Sequence, residues 1–457
     1  MKTYQYIFLT TALFTILFYE QSIGLNLGIL GIVYTLLTLY KTSERNRTKS
    51  FLLLFVTSIL SSIAFAWYAD FPSFLAIITS LLLLSYRAKN RRMKILLLIP
   101  VVIVNACTFI CRFFNFQSWL PRRNFSGLGQ KLVAFVLIPF ILLAVFFGVY
   151  SVGSNHFANL FSYIELDINL WEVFCLSVVG IFIAFNYWNY EVEKYIYMQN
   201  HVLNNDFGEK DKIQKATYSF MELDVERMSG VISFVLLNIL LIFFIATYSY
   251  EQFYEAAKTP VQLSEETHEG VNAVILSIIM AILVIMFYFK LGFNFDPKAR
   301  LLKILAQVWI FLNGVLVCST LTKNTEYIIN YGFTYKRLGV YGFLILSLIG
   351  LLLTFIKIQK KKRNAYLFNT MAWWFYGTIL ACSYINWGGI ITSQNVKRSD
   401  FAVNYHIKSV HFNDKILLKY ADEKQNLPLK KQISDKVHHE NSVSFLSKVL
   451  YYETFKN

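Results

Sequence analysis

The sequence predicts an all-α fold, a polytopic bundle of transmembrane helices followed by a small helical C-terminal tail. Of the 457 residues, 56% are hydrophobic and only 16% are charged, whereas soluble domains carry about a quarter charged residues. The apolar residues cluster into long runs such as 51–67 and 273–289. A helix of that length, rising about 1.5 Å per residue, matches the hydrocarbon thickness of a bilayer. The alternating segments of about ten residues that are typical of membrane β-barrels are absent.

Taken in order, the apolar runs predict about eleven spans, with a twelfth possible. The first is interpreted as a retained helix, because the N-terminal apolar stretch lacks a small-residue cleavage site. The twelfth candidate, 95–111, is weaker because Pro100 and Asn105 interrupt it. The predicted spans are 4–19, 23–40, 51–67, 71–86, 132–150, 171–188, 229–248, 271–289, 304–321, 338–356 and 365–385.

Basic residues are concentrated in alternate loops, which predicts the topology. Loops 41–50, 87–94, 112–131, 290–303 and 357–363 are rich in Lys and Arg, and the opposing segments are nearly free of them. Cytoplasmic loops carry such an excess. The loop signs agree, except for the mixed segment 322–337, only if 95–111 does not cross. We therefore expect 95–111 to be interfacial or re-entrant, the N-terminus to be cytoplasmic and the tail to be extracytoplasmic.

The net charge of +15 is explained by this topology and does not indicate nucleic-acid binding. The predicted partners are the lipid bilayer and, at the cytoplasmic basic loops, anionic lipid headgroups. Residues 1–389 form the predicted transmembrane domain, which includes a cytoplasmic hairpin-like loop, 189–228. Residues 390–457 form the predicted soluble tail, with helices at 414–421 and 442–455, which packs on the membrane body or on a protein partner whose identity stays open.

A polar face at the start of one span is the first candidate site. Glu265, His268, Glu269 and Asn272 recur at helical spacing and lie at the outer mouth of span 271–289. A carboxylate–histidine pair can bind a divalent metal or move a proton. The alternative is a solvated acidic helix start, where carboxylates are favoured by the helix dipole.

Other polar residues lie within the spans or at their ends. Asn238 and Asn313 lie in the middle of spans, where amides serve helix packing or line a substrate path. No charged residue lies in the middle of a predicted span, which disfavours an ion-coupled pump. No phosphate loop, CxxC, GxSxG or HExxH motif is present. No catalytic, cofactor-binding or metal-ligating residue is therefore assigned, and no cofactor is expected.

The segment NYGFTYKRLGVYG, 330–342, has the composition of a membrane entry. Its aromatic residues suit the headgroup level, and Gly339 and Gly342 would permit close helix approach. Thr334 and Arg337 are candidate site residues here, since Arg337 lies on the side that otherwise lacks bases. Arg337 either holds the tail or a lipid phosphate, or simply marks the interface.

The same segment resembles an uncharacterised bacterial membrane family, domain-of-unknown-function family 4153, and its relative 4173. Tyr331, Gly332, Thr334 and Arg337 stand where that family has a tyrosine–glycine–x–threonine–x–x–arginine pattern. Similar segments are LFYEQSIGLNLGIL (17–30), HEGVNAVI (268–275), WIFLNGVLV (309–317), NVKRSDF (395–401) and DKILLKYADEKQNLPLK (414–430). The resemblance implies the fold and a location in the bacterial inner membrane. It implies no catalytic residue.

Two hypotheses of function follow. The first is a non-enzymatic transport- or signalling-type protein of the bacterial cell envelope, which the missing catalytic motifs favour. The alternative is a membrane enzyme that acts on a lipid-linked substrate at the extracytoplasmic face, with Glu265, His268, Glu269 and Arg337 as its candidate residues.

Overall fold

The computed structural model of the chain describes residues 1–120, 135, 138–154, 169–212, 220–253, 260–290 and 292–455, and all regular structure in these ranges is helical. The membrane body contains helices α1 (Thr3–Phe18), α2 (Leu25–Lys41), α3 (Lys49–Tyr68), α4 (Phe71–Lys89), α5 (Leu98–Cys107), α6 (Phe109–Phe114), α7 (Phe116–Trp119), α8 (Ile138–Gly153), α9 (Leu170–Trp188), α10 (Lys194–Val202), α11 (Leu223–Phe253), α12 (Pro260–Tyr288), α13 (Arg300–Tyr331), α14 (Tyr335–Gln359) and α15 (Asn364–Tyr384). The tail contains α16 (Trp387–Asn395), α17 (Val403–Lys408), α18 (Asp414–Glu423), α19 (Leu427–Ser442) and α20 (Leu450–Glu453).

The predicted polytopic bundle is confirmed. Within the described ranges, seven helices are long and apolar enough to cross a membrane, namely α3, α4, α9 and α11 to α14. Helices α1 and α2 are apolar but shorter, at 16 and 17 residues. Each of the eleven predicted spans falls on a helix, although the span at 132–150 lies partly outside the described residues.

The bundle has two chemically different ends, which we name the basic end and the tail-bearing end. The basic end contains the connections 42–48, 90–97, 289–299 and 360–363. Hydrogen bonds join these connections to one another and to the segment after α9: Asn46 Nδ2 donates to the Ala88 carbonyl at 2.9 Å, and the Arg363 amide donates to the Asn205 carbonyl at 2.9 Å. The tail-bearing end contains the connections 19–24, 69–70 and 332–334. The tail contacts the first and the last of these connections, and also Tyr68 at the end of α3.

Helix α5 does not cross the bundle. The Lys94 amide, just before it, donates to Asn200 Oδ1 at 3.0 Å, and Asn105 near its end donates to the Glu191 carbonyl at 2.7 Å. Both ends of α5 are therefore held at the basic end. Its 10 residues extend about 15 Å, half of the hydrocarbon core. This placement agrees with the prediction that 95–111 is not a span, and Pro100 is tolerated because it lies in the first turn of the helix.

Three basic side chains stabilise the C-terminal end of α9. Lys41 Nζ donates to the Trp188 carbonyl at 3.2 Å, Arg112 donates to the Asn189 carbonyl, and Lys89 Nζ donates to the Tyr190 carbonyl at 2.6 Å. The last carbonyls of a helix lack partners within the helix and carry its negative dipole end. The bases of three separate segments thus converge on one helix terminus, in addition to marking the topology.

Two groups of helices form the interior of the body. Helices α1, α2 and α9 enclose an aromatic cluster around Tyr34 and Trp188, whose ring centroids lie 5.7 Å apart. Helices α11 to α14 enclose a second cluster that includes Val274, Leu316 and Leu351. The five cysteines are free and exposed on the helices.

The structure corrects two details of the expectations and describes part of a third region. The tail has no single helix over 442–455; its longest helix is α19, and a short 3₁₀ turn and α20 follow it. Ideal Cβ atoms on Gly339 and Gly342 would meet no described atom within 4 Å, so these glycines mediate no close contact there. The predicted hairpin at 189–228 contains α10 and a 3₁₀ turn at Glu209–Asp211, and its residues 213–219 lie outside the described part.

Candidate functional site at the tail-bearing end

The connection between α13 and α14 is a tight turn. Gly332 ends α13 with a φ of 78°, in the left-handed region that glycine adopts without strain. The Gly332 amide donates to the Ile328 carbonyl at 2.7 Å. Two residues later, Thr334 begins α14 by accepting a hydrogen bond from the Arg337 amide at 3.3 Å, a helix N-cap. The threonine and glycine of the segment are therefore explained by turn geometry.

Arg337 folds back on its own turn. Its Nη1 donates to the Tyr331 carbonyl at 2.7 Å and also to the Gly332 carbonyl, and its guanidinium lies 4.0 Å from the centroid of the Tyr327 ring. A cation at a helix C-terminus satisfies free carbonyls and interacts favourably with the dipole. Arg337 thus organises the turn: its guanidinium hydrogen bonds go to backbone carbonyls of the turn, and its interaction with the tail is electrostatic, with Tyr405.

The tail residue that contacts the turn is Asn395, at the end of α16. Its Oδ1 accepts from the Phe333 amide at 2.8 Å, and its Nδ2 donates to the Phe333 carbonyl at 2.9 Å. One amide side chain therefore satisfies both backbone groups of a residue that belongs to neither α13 nor α14. Because Asn395 is buried, we name this pair of hydrogen bonds, together with the bond to His406 described next, the Asn395 latch.

His406 completes the latch from the tail side. Its Nδ1 lies 2.9 Å from the Ala402 carbonyl, and its Nε2 lies 3.0 Å from Asn395 Nδ2. A carbonyl only accepts, so Nδ1 carries the proton and Nε2 accepts from the asparagine. The geometry requires a neutral imidazole. Burial lowers the pKa of His406, and the bond to Ala402 opposes this shift in part.

Arg398 adds a second tie between the tail and α13. Its guanidinium donates to the carbonyls of Ile329 and Asn330, and to the Asp400 carboxylate at 2.8 Å. The hydrogen bond from Arg398 lowers the pKa of Asp400. Together with Arg337, this arginine satisfies the last carbonyls of α13, so that one base from the turn and one from the tail share a helix terminus.

Further contacts fix the tail over this end of the bundle. Gly388 lies so close to the body residue Tyr335 and to the tail's own His411 that an added Cβ would lie 2.8 Å from the Tyr335 hydroxyl and 1.8 Å from the His411 carbonyl oxygen. The Tyr68 and Phe412 rings, one from the body and one from the tail, have centroids 4.9 Å apart. At the α1–α2 connection, the Leu25 amide donates to the Lys448 carbonyl at 3.0 Å. The tail therefore packs on the membrane body.

The other candidate residues do not join this site. Asn313 is fully buried, and its Nδ2 bonds to the Trp309 carbonyl of its own helix at 2.8 Å, whereas Asn272 is exposed on α12. Asn238 donates to the Leu305 carbonyl of the neighbouring α13 at 3.1 Å, as a packing residue does. The side chains of the other three candidates lie outside the described part of α12: Glu265, His268 and Glu269.

Sequence reasoning missed the residues that carry the latch. Asn395 and His406 lie 11 positions apart, without the periodicity of a motif. A third tail residue, Asn413, links the same region by donating to Thr392 Oγ1 and to the His406 carbonyl, both at 2.9 Å. The available signal was the polar run 392–395, a few residues after the last predicted span. Polar side chains in such a position can bond to backbone groups of a packed domain.

No metal centre is evident in this region. Across the described side chains, no group of three or more His, Cys, Asp or Glu residues is arranged to hold a metal ion. The chemistry of the site is instead that of neutral amides, one imidazole and two guanidinium groups bonded to backbone carbonyls. Such a site holds two parts of a protein together.

The fold and this site define a multi-pass α-helical membrane protein with a packed polar tail. Residues 48–411 match the family model described as Domain of unknown function (DUF4153). Because the match covers most of the chain, the protein belongs to this family, and the resemblance seen in its sequence is confirmed. Neither the curated proteins nor the solved structures contain a match to the chain.

Proposed function

We propose that the protein is a non-enzymatic, signalling-type protein of the bacterial cell envelope, located in the inner membrane. The basic end faces the cytoplasm together with the N-terminus, since cytoplasmic loops carry the excess of Lys and Arg. The tail then lies in the extracytoplasmic space. Transport and signalling were both open from the sequence, and the Asn395 latch favours signalling.

The latch places the tail on two helices that connect the ends of the bundle. Helix α13 has 32 residues and α14 has 25, and both run from the turn that Asn395 holds to the basic end. There, Lys357 of α14 is fully buried and its Nζ donates to the Phe289 carbonyl, after α12, at 2.7 Å. A displacement of the tail would act on rigid helices that are tightly held at their far end, as coupling between distant sites requires.

Hydrogen exchange in lipid nanodiscs tests this proposal. We expect Asn395→Ala to increase amide exchange in the tail and also in the connections 292–299 and 360–363 at the basic end. Gln394→Ala is the matched control, because this neighbouring side chain is exposed and makes only a 3.5 Å contact with Lys397. If the tail exchanges faster while the basic end keeps its wild-type rates, the tail is a structural cover and the signalling proposal is wrong.

The enzyme alternative finds less support in the turn. Arg337, one of its four candidate residues, uses its guanidinium on two backbone carbonyls and one aromatic ring. The alternative still makes a separate prediction: His268→Ala would abolish function at unchanged protein level. A variant that retains wild-type function would remove the enzyme hypothesis.

A further inference from the structure

A cavity of about 210 Å³ lies between α4, α5 and α9, at the basic end of the bundle. Its walls are mainly apolar and include Leu82, Val101 and Tyr187, and its mouth includes Ala106, Phe182 and Ile183, which are exposed. Pockets for compact drug-sized ligands have volumes above about 300 Å³. This cavity is smaller and opens on an apolar flank of the bundle, so its shape suits a flexible hydrocarbon chain.

Each of the three helices also contributes a polar residue to the lining: Ser85 from α4, Asn105 from α5 and Asn186 from α9. Asn186 Nδ2 donates to the Phe182 carbonyl at 2.9 Å, whereas its Oδ1 is buried and finds no hydrogen-bond donor among the described residues. A buried amide oxygen without a donor is unfavourable by about 1–3 kcal/mol. A ligand whose headgroup carries a hydroxyl group would remove this cost.

The charged residues near the cavity indicate that its ligand carries a negative charge. Tyr86, in the cavity wall, donates from its hydroxyl to the Lys94 carbonyl at 3.1 Å, which ties the wall to the loop 87–94. This loop carries Arg87, Lys89, Arg91, Arg92 and Lys94 and no acid. Arg87 and Lys89 bond to backbone carbonyls, whereas Arg91 and Arg92 are exposed. Two exposed bases therefore lie in a loop that the cavity wall contacts through Tyr86.

We propose that this cavity binds part of one acyl chain of an anionic phospholipid, with the headgroup phosphate at Arg91 and Arg92. The chain occupies the space between α4, α5 and α9, and a headgroup hydroxyl reaches Asn186 Oδ1. The site explains why α5 lies along the basic end without crossing: it forms the third wall. The proposal concerns a different end of the molecule from the latch and does not depend on the signalling role.

Photolabelling of the full-length protein tests the site. The protein is placed in phosphatidylcholine nanodiscs with a small fraction of phosphatidylglycerol that carries a diazirine in its acyl chain, and labelled peptides are identified by mass spectrometry. We expect labels to concentrate on 82–106 and 182–190, and unlabelled phosphatidylglycerol to compete better than phosphatidylcholine. Labels spread over all exposed apolar helices in proportion to their exposure would overturn the proposal.

Two variants sharpen the result. Ala106→Phe fills the mouth and should remove the concentrated label, while Ile103→Phe, an exposed neighbour that does not line the cavity, should keep it. Equal labelling of the two variants would contradict the site. Replacing both Arg91 and Arg92 by Gln should weaken competition by phosphatidylglycerol about fivefold per base. Because these two residues are exposed, this arm decides the question even if Ala106→Phe does not fold.

Discussion

Removal of the Asn395 side chain should release the tail from the turn between α13 and α14. Asn395→Ala deletes three hydrogen bonds, of 2.8 and 2.9 Å to Phe333 and 3.0 Å to His406. Only the two bonds to Phe333 join the tail to the body. Each neutral hydrogen bond contributes about 1 kcal/mol net, so the docked state should lose about 2 kcal/mol. This equals about a 30-fold increase in the open population, at 1.4 kcal/mol per factor of ten.

The assay is amide exchange of the tail peptides 403–423 in nanodiscs, under conditions in which exchange reports the equilibrium between docked and open tail. Gln394→Ala should leave these rates unchanged. The reasoning is refuted if Asn395→Ala protects the tail as well as the control does, since the hydrogen bonds would then contribute nothing to docking. A lowered thermal midpoint of the whole bundle, with no change specific to the tail, would likewise contradict it.

Three further outcomes are expected. Docking of the tail should weaken on acidification. Burial lowers the pKa of His406 in the docked state, so the open state binds the proton more readily. The stability of docking is therefore complete above the ordinary histidine pKa of about 6.5, and it decreases as the pH falls below that value. His406→Gln should flatten that profile in exchange measurements from pH 7.5 to 5, whereas an unchanged slope would assign the pH dependence to other groups. Asn105→Leu should lower the free energy of unfolding by about 2 kcal/mol, because it removes two hydrogen bonds to the Glu191 backbone. The thermal midpoint of this variant in detergent should fall below that of the control Ile103→Leu. Equal midpoints would show that α5 is held by other contacts. An alkaline phosphatase fusion after Trp387 should be active and a fluorescent protein fusion there dark, and the reverse result would place the tail in the cytoplasm.

Much of the membrane body was predictable because its physical cause is local in the sequence. A long apolar run and the alternation of basic loops are properties of short windows, and both survive in the structure. The placement of 95–111 was also predictable, since the basic loops all fall on one side of the membrane only if this segment does not cross it. Asn105 then proved to be the residue that holds this segment at the basic end.

The latch was not predictable in the same way. Asn395, Phe333 and His406 belong to three segments, and only the folded chain brings them together. The prominent Arg337 suggested a ligand site, but at the end of α13 the free carbonyls of the helix compete successfully for its guanidinium. In the tail, a helix over 442–455 was expected from its apolar residues. The long tail helix is instead α19, which ends where that helix was expected to begin. Its first turn is capped by Asn426, whose side chain accepts from the Leu429 amide at 3.1 Å. Capping chemistry determined the helix there.

The contact between the tail and the α1–α2 connection has a consequence for biogenesis. The Ser22 amide donates to Ser447 Oγ at 2.9 Å, across 425 positions of the chain. Contacts between such distant residues form late, because every intervening segment must first be ordered. The first hairpin enters the membrane early in translation but receives this partner only after the nine later helices that match predicted spans, α3, α4, α8, α9 and α11 to α15, have been synthesised. Until then its connection at the tail-bearing end offers an unoccupied surface, on which a membrane chaperone or a quality-control protease can distinguish a finished molecule from an unfinished one.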